Sequence, residues 1–102
     1  MSGNLWHVVL ISFKPGATEE MRQILYDRYQ TLDNDCGGRD AGILFWKVAR
    51  NLDLRKGVHL VEIAIFENDE ALQTFRHHPK HQEITDIASR IADWQVGDII
   101  DL

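Results

Sequence analysis

The chain has 102 residues, 44% hydrophobic and 26% charged, which is the size and composition of one globular domain over residues 1–102. A formal net charge of −5 argues against a general nucleic-acid binder, and a single cysteine, Cys36, excludes an internal disulfide. Residues 1–4 lack the basic region of a signal peptide, and no apolar run reaches membrane-spanning length. We therefore expect a soluble cytoplasmic protein with no membrane or nucleic-acid partner.

The first half of the chain alternates between strand and helix patterns. Residues Leu5–Phe13 are rich in β-branched and aromatic side chains and predict a strand, closed by a turn at residues 14–16. Thr18 is a good N-cap, and helical spacing of apolar residues predicts an amphipathic helix from there to Leu32. A polar loop at residues 33–40 then leads to a second strand at residues 43–49.

The second half of the chain again alternates between strand and helix patterns. Val58–Phe66 predicts the third strand, and Asn68 lies where it could cap a short helix. Pro79 breaks that helix and starts the next one, because proline suits the first helical turn. The last helix reaches about Ile91, and Trp94–Leu102 reads as the final strand. The order β-α-β-β-α-β, with the second helical part split at Pro79, predicts an α+β, ferredoxin-like antiparallel sheet with helices on one face.

Both faces of this predicted sheet are apolar. In the first strand His7 and Val9 point one way, while Val8 and Leu10 point the other. Helices can cover only one face, and large exposed apolar patches are rare on monomers. We therefore expect the second face to meet another subunit's sheet in a homodimeric α/β barrel. Glu62 would be an exception on that otherwise apolar face and would need a donor or a water at the interface.

Three of the five histidines surround Pro79, namely His77, His78 and His81. Imidazole changes charge near neutral pH, so the cluster suggests acid–base chemistry, a metal or a ligand. The spacing of His78 and His81 can present two imidazoles on one helical face, but Pro79 lies between them and no nearby acidic residue or cysteine completes a ligand set. We therefore expect no metal and no cofactor.

His7 and His59 are predicted on one face of two neighbouring strands, among valine, isoleucine and phenylalanine residues. They are either structural or the polar corner of an apolar pocket, the usual form of a small-molecule site. The ordinary pKa of imidazole suits a general base, so His81 could remove a proton from carbon while His7 or His59 holds a carbonyl oxygen. Alternatively, His78 caps the helix and His81 only packs beside the first strand. The expected ligand pocket is lined by Val9, Ile11, Tyr26, Val61, Phe75 and His78.

Three segments, His7–Gly16, Val61–Glu67 and His78–Gln82, resemble the stress-responsive dimeric α/β-barrel domain family, and the resemblance spans nearly the whole chain. It implies ferredoxin-like subunits whose two sheets pack into a barrel. Many members of that family have no assigned activity, some plant members accompany stress responses, and some close polyketide rings without a cofactor.

In the ring-closing plant members, the resemblance implies a tyrosine–histidine pair beside a pocket between sheet and helices. The place of the histidine corresponds to His81, and that of the tyrosine corresponds to Phe75, which has no hydroxyl group. The accessory histidines correspond to His7 and His59. A neighbouring tyrosine of the first helix, Tyr26 or Tyr29, could supply a phenol to the same cavity.

Three functions are consistent with these observations. The first is a homodimeric barrel without catalysis that binds a small hydrophobic metabolite. The second is a cofactor-independent polyketide cyclase-like lyase that uses His81 as its base. The third, a monooxygenase related to similarly shaped antibiotic-biosynthesis proteins, fits the residues less well. The absent hydroxyl at Phe75 favours the first, and the sequence alone does not identify a ligand.

Overall fold

The computed structural model describes residues 3–101, so Met1, Ser2 and Leu102 of the predicted domain and final strand lie outside the described residues. The elements in chain order are β1 (Asn4–Phe13), α1 (Glu19–Gln30), α2 (Leu32–Asp35), a 3-10 helix (Gly38–Ala41), β2 (Ile43–Arg50), β3 (Leu60–Phe66), α3 (Asp69–His77), α4 (Pro79–Ile91) and β4 (Ala92–Asp101). This order confirms the predicted β-α-β-β-α-β arrangement and the split at Pro79.

The element boundaries differ from the prediction in several places. α1 ends at Gln30, and Leu32, where the predicted first helix ended, begins α2. The predicted loop at residues 33–40 contains the rest of α2 and most of the 3-10 helix, which is flanked by Gly37 and Gly42 at φ angles of 103° and 84° that favour glycine. β3 begins at Leu60, although the backbone N–H and C=O of His59 still bond to both neighbouring segments. β4 begins at Ala92, immediately after α4, because that residue is already fully extended.

The four strands form one antiparallel sheet in the order β2-β3-β1-β4. β1 is central and pairs with β3 on one side and β4 on the other. The register places His7 opposite Ala64 of β3 and Asp98 of β4, and it places Val9 opposite Glu62. Directly opposed residues share a face of the sheet, so His7, Asp98 and Glu62 all point to the same side.

The helices begin with side-chain caps. Thr18 accepts a hydrogen bond from the third residue of α1 at 3.2 Å, and Asn68 does the same for α3 at 2.8 Å. His78 Nδ1 accepts one from the Lys80 N–H at 3.1 Å, while Pro79 occupies the first position of α4. These contacts confirm the predicted cap at Thr18 and give His78 a structural role. None of the helices formed by residues 3–101 is long and apolar enough to cross a membrane.

The face of the sheet beneath the helices forms the core. The largest fully buried side chains are Ile11, Leu25, Leu32, Phe66 and Leu72. Along β1 and β3 every second residue is buried, as expected for strands with one covered face. Ile11, predicted to line a ligand pocket, lies in this core and is completely buried.

The other face, which we name the open face, has no helix over it. It carries Trp6, Val8 and Leu10 of β1, Phe45 of β2, Val61, Ile63 and Ile65 of β3, and Ile99 of β4. Phe45 is 47% exposed and Ile99 is 64% exposed. Eight apolar residues therefore share this uncovered face, as the sequence predicted for one face of the sheet, with Lys47 opposite Ile63 and Gln95 opposite Leu10 on the same side.

The predicted assignment of β3 to the two faces was wrong. Val61 lies opposite Leu10 on the open face rather than beside His7, and Glu62 lies under the helices rather than on the open face. A shift of one residue in register exchanges the two faces of a strand. Since β3 is apolar on both faces, its hydrophobic pattern could not fix which one turns inward.

Cys36 follows α2 and is 3% exposed, with its backbone N–H bonded to the Leu32 carbonyl at 3.0 Å. Burial raises the pKa of its thiol to about 11, with a further contribution from the Asp35 carboxylate. Cys36 falls within the polar loop predicted at residues 33–40. The structure instead buries it within the core, where it stays protonated at neutral pH.

Candidate functional site

His7 lies at the centre of the covered face and is only 4% exposed. Its Nδ1 is 2.5 Å from Asp98 Oδ1 on β4, and its Nε2 is 3.4 Å from Glu62 Oε2 on β3. The ring also meets Phe66 edge-on, with centroids 5.9 Å apart. The short contact joins the ring to Asp98 by a hydrogen bond, and Glu62 lies against the other ring nitrogen. The three side chains form a row across three strands, with His7 between the two carboxyl groups.

Glu62 is the second buried polar group in this row, also 4% exposed. Burial raises the pKa of its carboxyl to about 8, so most of it is the neutral acid at pH 7. A neutral carboxyl can donate as well as accept a hydrogen bond. The partner that the sequence analysis sought for Glu62 at a dimer interface is His7 of the same chain.

His81 approaches this row from the first turn of α4. Its ring contacts the ring of Phe75 with centroids 4.6 Å apart, and its Nδ1 is 3.4 Å from the Thr85 hydroxyl. Burial, together with electrostatic repulsion from the nearby His7 and Arg76, lowers the pKa of the imidazole to about 4. His81 is therefore neutral at pH 7, with one nitrogen able to accept a hydrogen bond.

These groups meet in a cavity of about 90 Å³, which we name the His7 cavity. It is lined by His7, Val9, Tyr29, Glu62, Arg76, His81, Ile84, Thr85, Ala88, Trp94 and Val96. Trp94 and Val96 are exposed residues of the edge strand β4, so the cavity opens between α4 and that edge. A few converging polar groups in apolar surroundings are the usual composition of a small-molecule site.

Tyr29 is the residue of α1 that reaches this cavity. It is buried, and burial raises the pKa of its phenol well above the ordinary value, so the hydroxyl group stays protonated. The Trp46 indole donates a hydrogen bond to the Tyr29 carbonyl at 2.9 Å and holds this end of α1 against β2. The sequence left Tyr26 and Tyr29 as alternatives, and the structure places Tyr29 in the cavity.

Among the residues predicted for the site, the structure brings His7, His81 and Val9 together. Phe75 lies beneath His81 and packs against Phe66 and Trp46, so it supports the cavity from the core.

The other predicted site residues lie elsewhere. His59 and Tyr26 line a separate cavity where β3 begins, so neither belongs with His7 and His81. Val61 is on the open face, and His78 caps α4. His7 and His59 do not share one pocket because they are separated along the strands: His7 lies opposite Ala64, whereas His59 lies beside Phe13 at the end of β1.

Sequence reasoning missed Asp98, Arg76 and Thr85 and misplaced Glu62. Arg76 is 3.4 Å from the second carboxylate oxygen of Asp98, so it holds that group from the side away from His7. A single carboxyl in an apolar strand is a signal that could have marked Glu62. Asp98 could be found only by aligning β4 with β1, which the alternating pattern of an exposed edge strand does not determine.

No group of three or more histidine, cysteine, aspartate or glutamate side chains within residues 3–101 is arranged to hold a metal ion. His7 lies between Glu62 and Asp98, so these three side chains form a row instead of converging on a common point. The expectation that the chain uses no cofactor stays a prediction.

Comparisons with known proteins agree with this architecture. The hypothetical protein from Arabidopsis thaliana solved in solution is 26% identical, with 98% of this chain and 89% of that chain covered and a TM-score of 0.79. A dimeric ferredoxin-like protein of unknown function from Thermobifida fusca is 13% identical, with 99% and 93% covered and a TM-score of 0.83. The hydroxynitrile lyase from Passiflora edulis is 16% identical, with 100% and 96% covered and a TM-score of 0.82.

The similarities to the Thermobifida fusca and Passiflora edulis proteins, at 13% and 16% identity, show the fold alone. No curated protein matches the chain. The family model of the stress responsive A/B barrel domain (Dabb) matches residues 5–101, almost the entire sequence. The chain therefore belongs to the Dabb family and has its α+β, ferredoxin-like fold.

Proposed function

We propose that this chain acts as a homodimer that binds a small, mainly apolar molecule carrying a hydrogen-bond acceptor such as a carbonyl group. The observation that carries the proposal is the convergence of His7, Glu62, His81 and Tyr29 on one cavity with apolar walls. The neutral Glu62 acid and the Tyr29 phenol are donors for an acceptor atom, and His81 can accept from a ligand hydroxyl.

The size of the His7 cavity limits what lies fully inside it. Its volume of about 90 Å³ is small beside the roughly 300–1,000 Å³ of pockets that enclose drug-sized ligands. Only the polar end of a ligand would be enclosed, and the remainder would extend past Trp94 at the edge of the sheet. This favours a ligand with a compact polar head and an apolar tail.

The open face supports the homodimer. Eight apolar side chains without a covering element form a patch of the kind that marks an interaction surface. Similar folds include a protein described as dimeric. Sedimentation velocity of the wild-type chain is expected to give a dimer at micromolar concentration. A monomer at all concentrations would contradict this part of the proposal.

Ligand binding is tested with 2,4-pentanedione, a small carbonyl compound, added to isotope-labelled protein and followed by NMR. We expect the NMR chemical shifts of His7, Tyr29 and Thr85 to change and to reach saturation as the compound is added. Replacing Glu62 with leucine removes one hydrogen-bond donor and should weaken binding roughly two- to tenfold. Glu70→Gln, on the exposed side of α3, is the matched control and should change nothing. Absence of saturable shifts at the cavity would refute this use of the site.

A second candidate is a cofactor-independent lyase or cyclase in which His81 removes a proton from carbon. The specific observation in its favour is that burial shifts two neighbouring pKa values in opposite directions, leaving His81 as a neutral base and Glu62 as a neutral acid. Tyr29 also brings to the cavity the phenol that Phe75 lacks. However, a conjugate acid with a pKa of about 4 makes His81 a weak base, so binding is the first proposal.

The lyase candidate is tested by measuring exchange of the central carbon-bound hydrogens of 2,4-pentanedione in deuterated buffer. Exchange faster than buffer alone, lost in His81→Ala and reduced in Glu62→Leu, is the expected result for an enzyme. Binding without accelerated exchange would leave the chain as a binding protein. The cytoplasmic location expected from the sequence stays a prediction.

A further inference from the structure

A second cavity lies at the end of the sheet where β1 ends and β3 begins, beneath the first turns of α1. Its volume is about 240 Å³, against about 90 Å³ for the His7 cavity. Its lining includes Phe13, Arg22, Tyr26, Arg50, Leu54 and His59. We name it the Arg22–Arg50 cavity, and none of the residues lining it lines the His7 cavity.

Two guanidinium groups are held on its walls by aromatic rings. The Arg22 guanidinium carbon is 5.0 Å from the centroid of the Phe13 ring, and that of Arg50 is 4.3 Å from the centroid of Tyr26. Stacking of this kind orients the planar guanidinium and leaves its edge N–H groups available. Two positive charges are thereby fixed on the lining of one cavity.

These guanidinium groups make few other polar contacts. Arg22 donates through Nε to the Ala17 carbonyl at 3.2 Å, and Arg50 donates through one terminal nitrogen to Gln23 at 3.2 Å. Among the ion pairs formed by residues 3–101, none involves either arginine. A guanidinium has five N–H donors in a fork that fits a carboxylate, so most donors of both groups remain for a ligand.

His59 adds a further donor. Its Nδ1 accepts a hydrogen bond from the Phe13 backbone N–H at 2.9 Å, so in the neutral ring the proton resides on Nε2. The ring packs against that of Phe13 with centroids 5.4 Å apart, which fixes its orientation. His59 therefore presents an N–H group beside the two arginines.

The charge balance of the lining defines the ligand class. Glu19 is the acidic residue of the lining, so the two arginines leave a formal excess of one positive charge in a chain whose net charge is −5. One excess charge matches a monoanion better than a phosphate dianion. Phe13, Leu54 and Leu60 supply apolar surface for the rest of the molecule.

We propose that the Arg22–Arg50 cavity binds an organic monocarboxylate, with the carboxylate on the two arginines and His59 and an apolar body against Phe13 and Leu54. This site is independent of the His7 cavity and does not rest on the function proposed for it. It also gives His59 a role that differs from assistance to His81.

The experiment is an NMR titration of the full chain with benzoate, with benzamide as its uncharged analogue and with inorganic phosphate. Benzoate is expected to change the chemical shifts of Phe13, Tyr26 and His59 until they reach saturation. Those of His7 and Thr85 should not change. Benzamide should bind at least tenfold more weakly, and phosphate more weakly than benzoate. Equal binding of benzamide, tighter binding of phosphate, or shifts confined to the His7 cavity would each overturn the proposal.

Variants of the two arginines test whether their side chains contact the carboxylate. Arg22→Gln and Arg50→Gln should each weaken benzoate binding at least tenfold, whereas Arg55→Gln, an exposed arginine of the β2–β3 connection already paired with Asp53, should not. If a glutamine variant fails to fold, Arg22→Lys and Arg50→Lys keep the charge but lose the fork, and each is expected to bind several-fold more weakly than wild type. Unchanged affinity in these folded arginine variants would overturn the assignment. Glu62→Leu should leave benzoate binding unchanged, which separates failure of this site from failure of the His7 cavity.

Discussion

The two faces of the sheet have similar hydrophobic patterns in sequence but different environments in the fold. The covered face contains His7 and Glu62, two titratable groups that are almost completely buried. The open face has no helix over it and is mainly apolar, with Lys47 and Gln95 as polar residues among its eight apolar side chains. Burying a polar group costs free energy unless a partner is present, and the covered face supplies those partners from its own chain. The comparison shows that a ligand site and an interface can be built on the two sides of the same strands.

The largest expected difference between the faces comes from truncating equivalent side chains. Phe66→Ala on the covered face empties a fully buried position and should lower the free energy of unfolding by about 3–5 kcal/mol. Phe45→Ala, on the open face and 47% exposed in the single chain, should cost less and should depend on protein concentration if a dimer covers it. Urea unfolding at two protein concentrations measures both. Equal, concentration-independent losses would remove the distinction between the faces.

A charge on the open face tests whether it is an interface. Ile63→Lys places an ammonium group at the centre of the apolar patch, and burying it without a partner should weaken the dimer at least 100-fold, about 3 kcal/mol. Sedimentation velocity or multi-angle light scattering reports the change. Met21→Lys is the matched control, because Met21 is an exposed apolar residue of α1. A dimer that persists in Ile63→Lys would place the interface elsewhere.

The buried carboxyl of the covered face should make stability depend on pH. The pKa of Glu62 is raised from 4.5 to about 8, so the folded state holds a proton that the unfolded state releases, and stability falls as pH rises between these values. The pKa of His81 is lowered from 6.5 to about 4, which makes stability rise with pH over that range. The two slopes oppose each other below pH 6.5. Above pH 6.5 the Glu62 contribution remains, and the free energy of unfolding should fall by about 2 kcal/mol between pH 6.5 and pH 8.

Glu62→Gln separates these two contributions. The variant should lose the decline between pH 6.5 and 8 and should instead show only the rise due to His81 at lower pH. Urea midpoints measured from pH 4 to 8.5 provide the test, with Glu70→Gln as the control. A decline above pH 6.5 that survives in Glu62→Gln would mean that another group causes it.

The smallest expected effect concerns His78, which the sequence placed in the ligand pocket. Because its imidazole accepts a hydrogen bond from the first turn of α4, His78→Ala should cost about 1 kcal/mol of stability. Binding of 2,4-pentanedione to the His7 cavity should remain as in wild type. His78→Asn keeps a capping side chain and should restore most of the stability. Loss of ligand binding in a stable His78→Asn protein would show that His78 belongs to the ligand site.

The order of the elements could be predicted because each one has a local cause. Alternating apolar residues mark β1, helical spacing marks α4, and Thr18 and Pro79 mark helix starts. The two short helical turns between residues 32 and 41 could not be predicted, because they depend on glycines such as Gly42 in left-handed conformations. The fold class follows from the order alone, whereas the exact pairing of strands does not.

The candidate site could be predicted only in part for the same reason. His7 and His81 were found because imidazoles stand out chemically. Val61 was misplaced because the pattern of β3 does not fix which face turns inward, and His59 because the sequence does not fix how far along the strands it lies from His7. Tyr26 and Tyr29 are three residues apart and lie near each other on α1. The position of α1 along the sheet places Tyr26 in the cavity with His59 and Tyr29 in the cavity with His7.

The buried position of Cys36 has a practical consequence. A thiol that is 3% exposed, with a pKa of about 11, reacts with alkylating reagents only when its surroundings open. Because it is the sole cysteine of the chain, the rate of its modification reports one local event, the separation of α2 from the core. The natural sequence thus already carries a label for the opening free energy of this region, without an engineered residue.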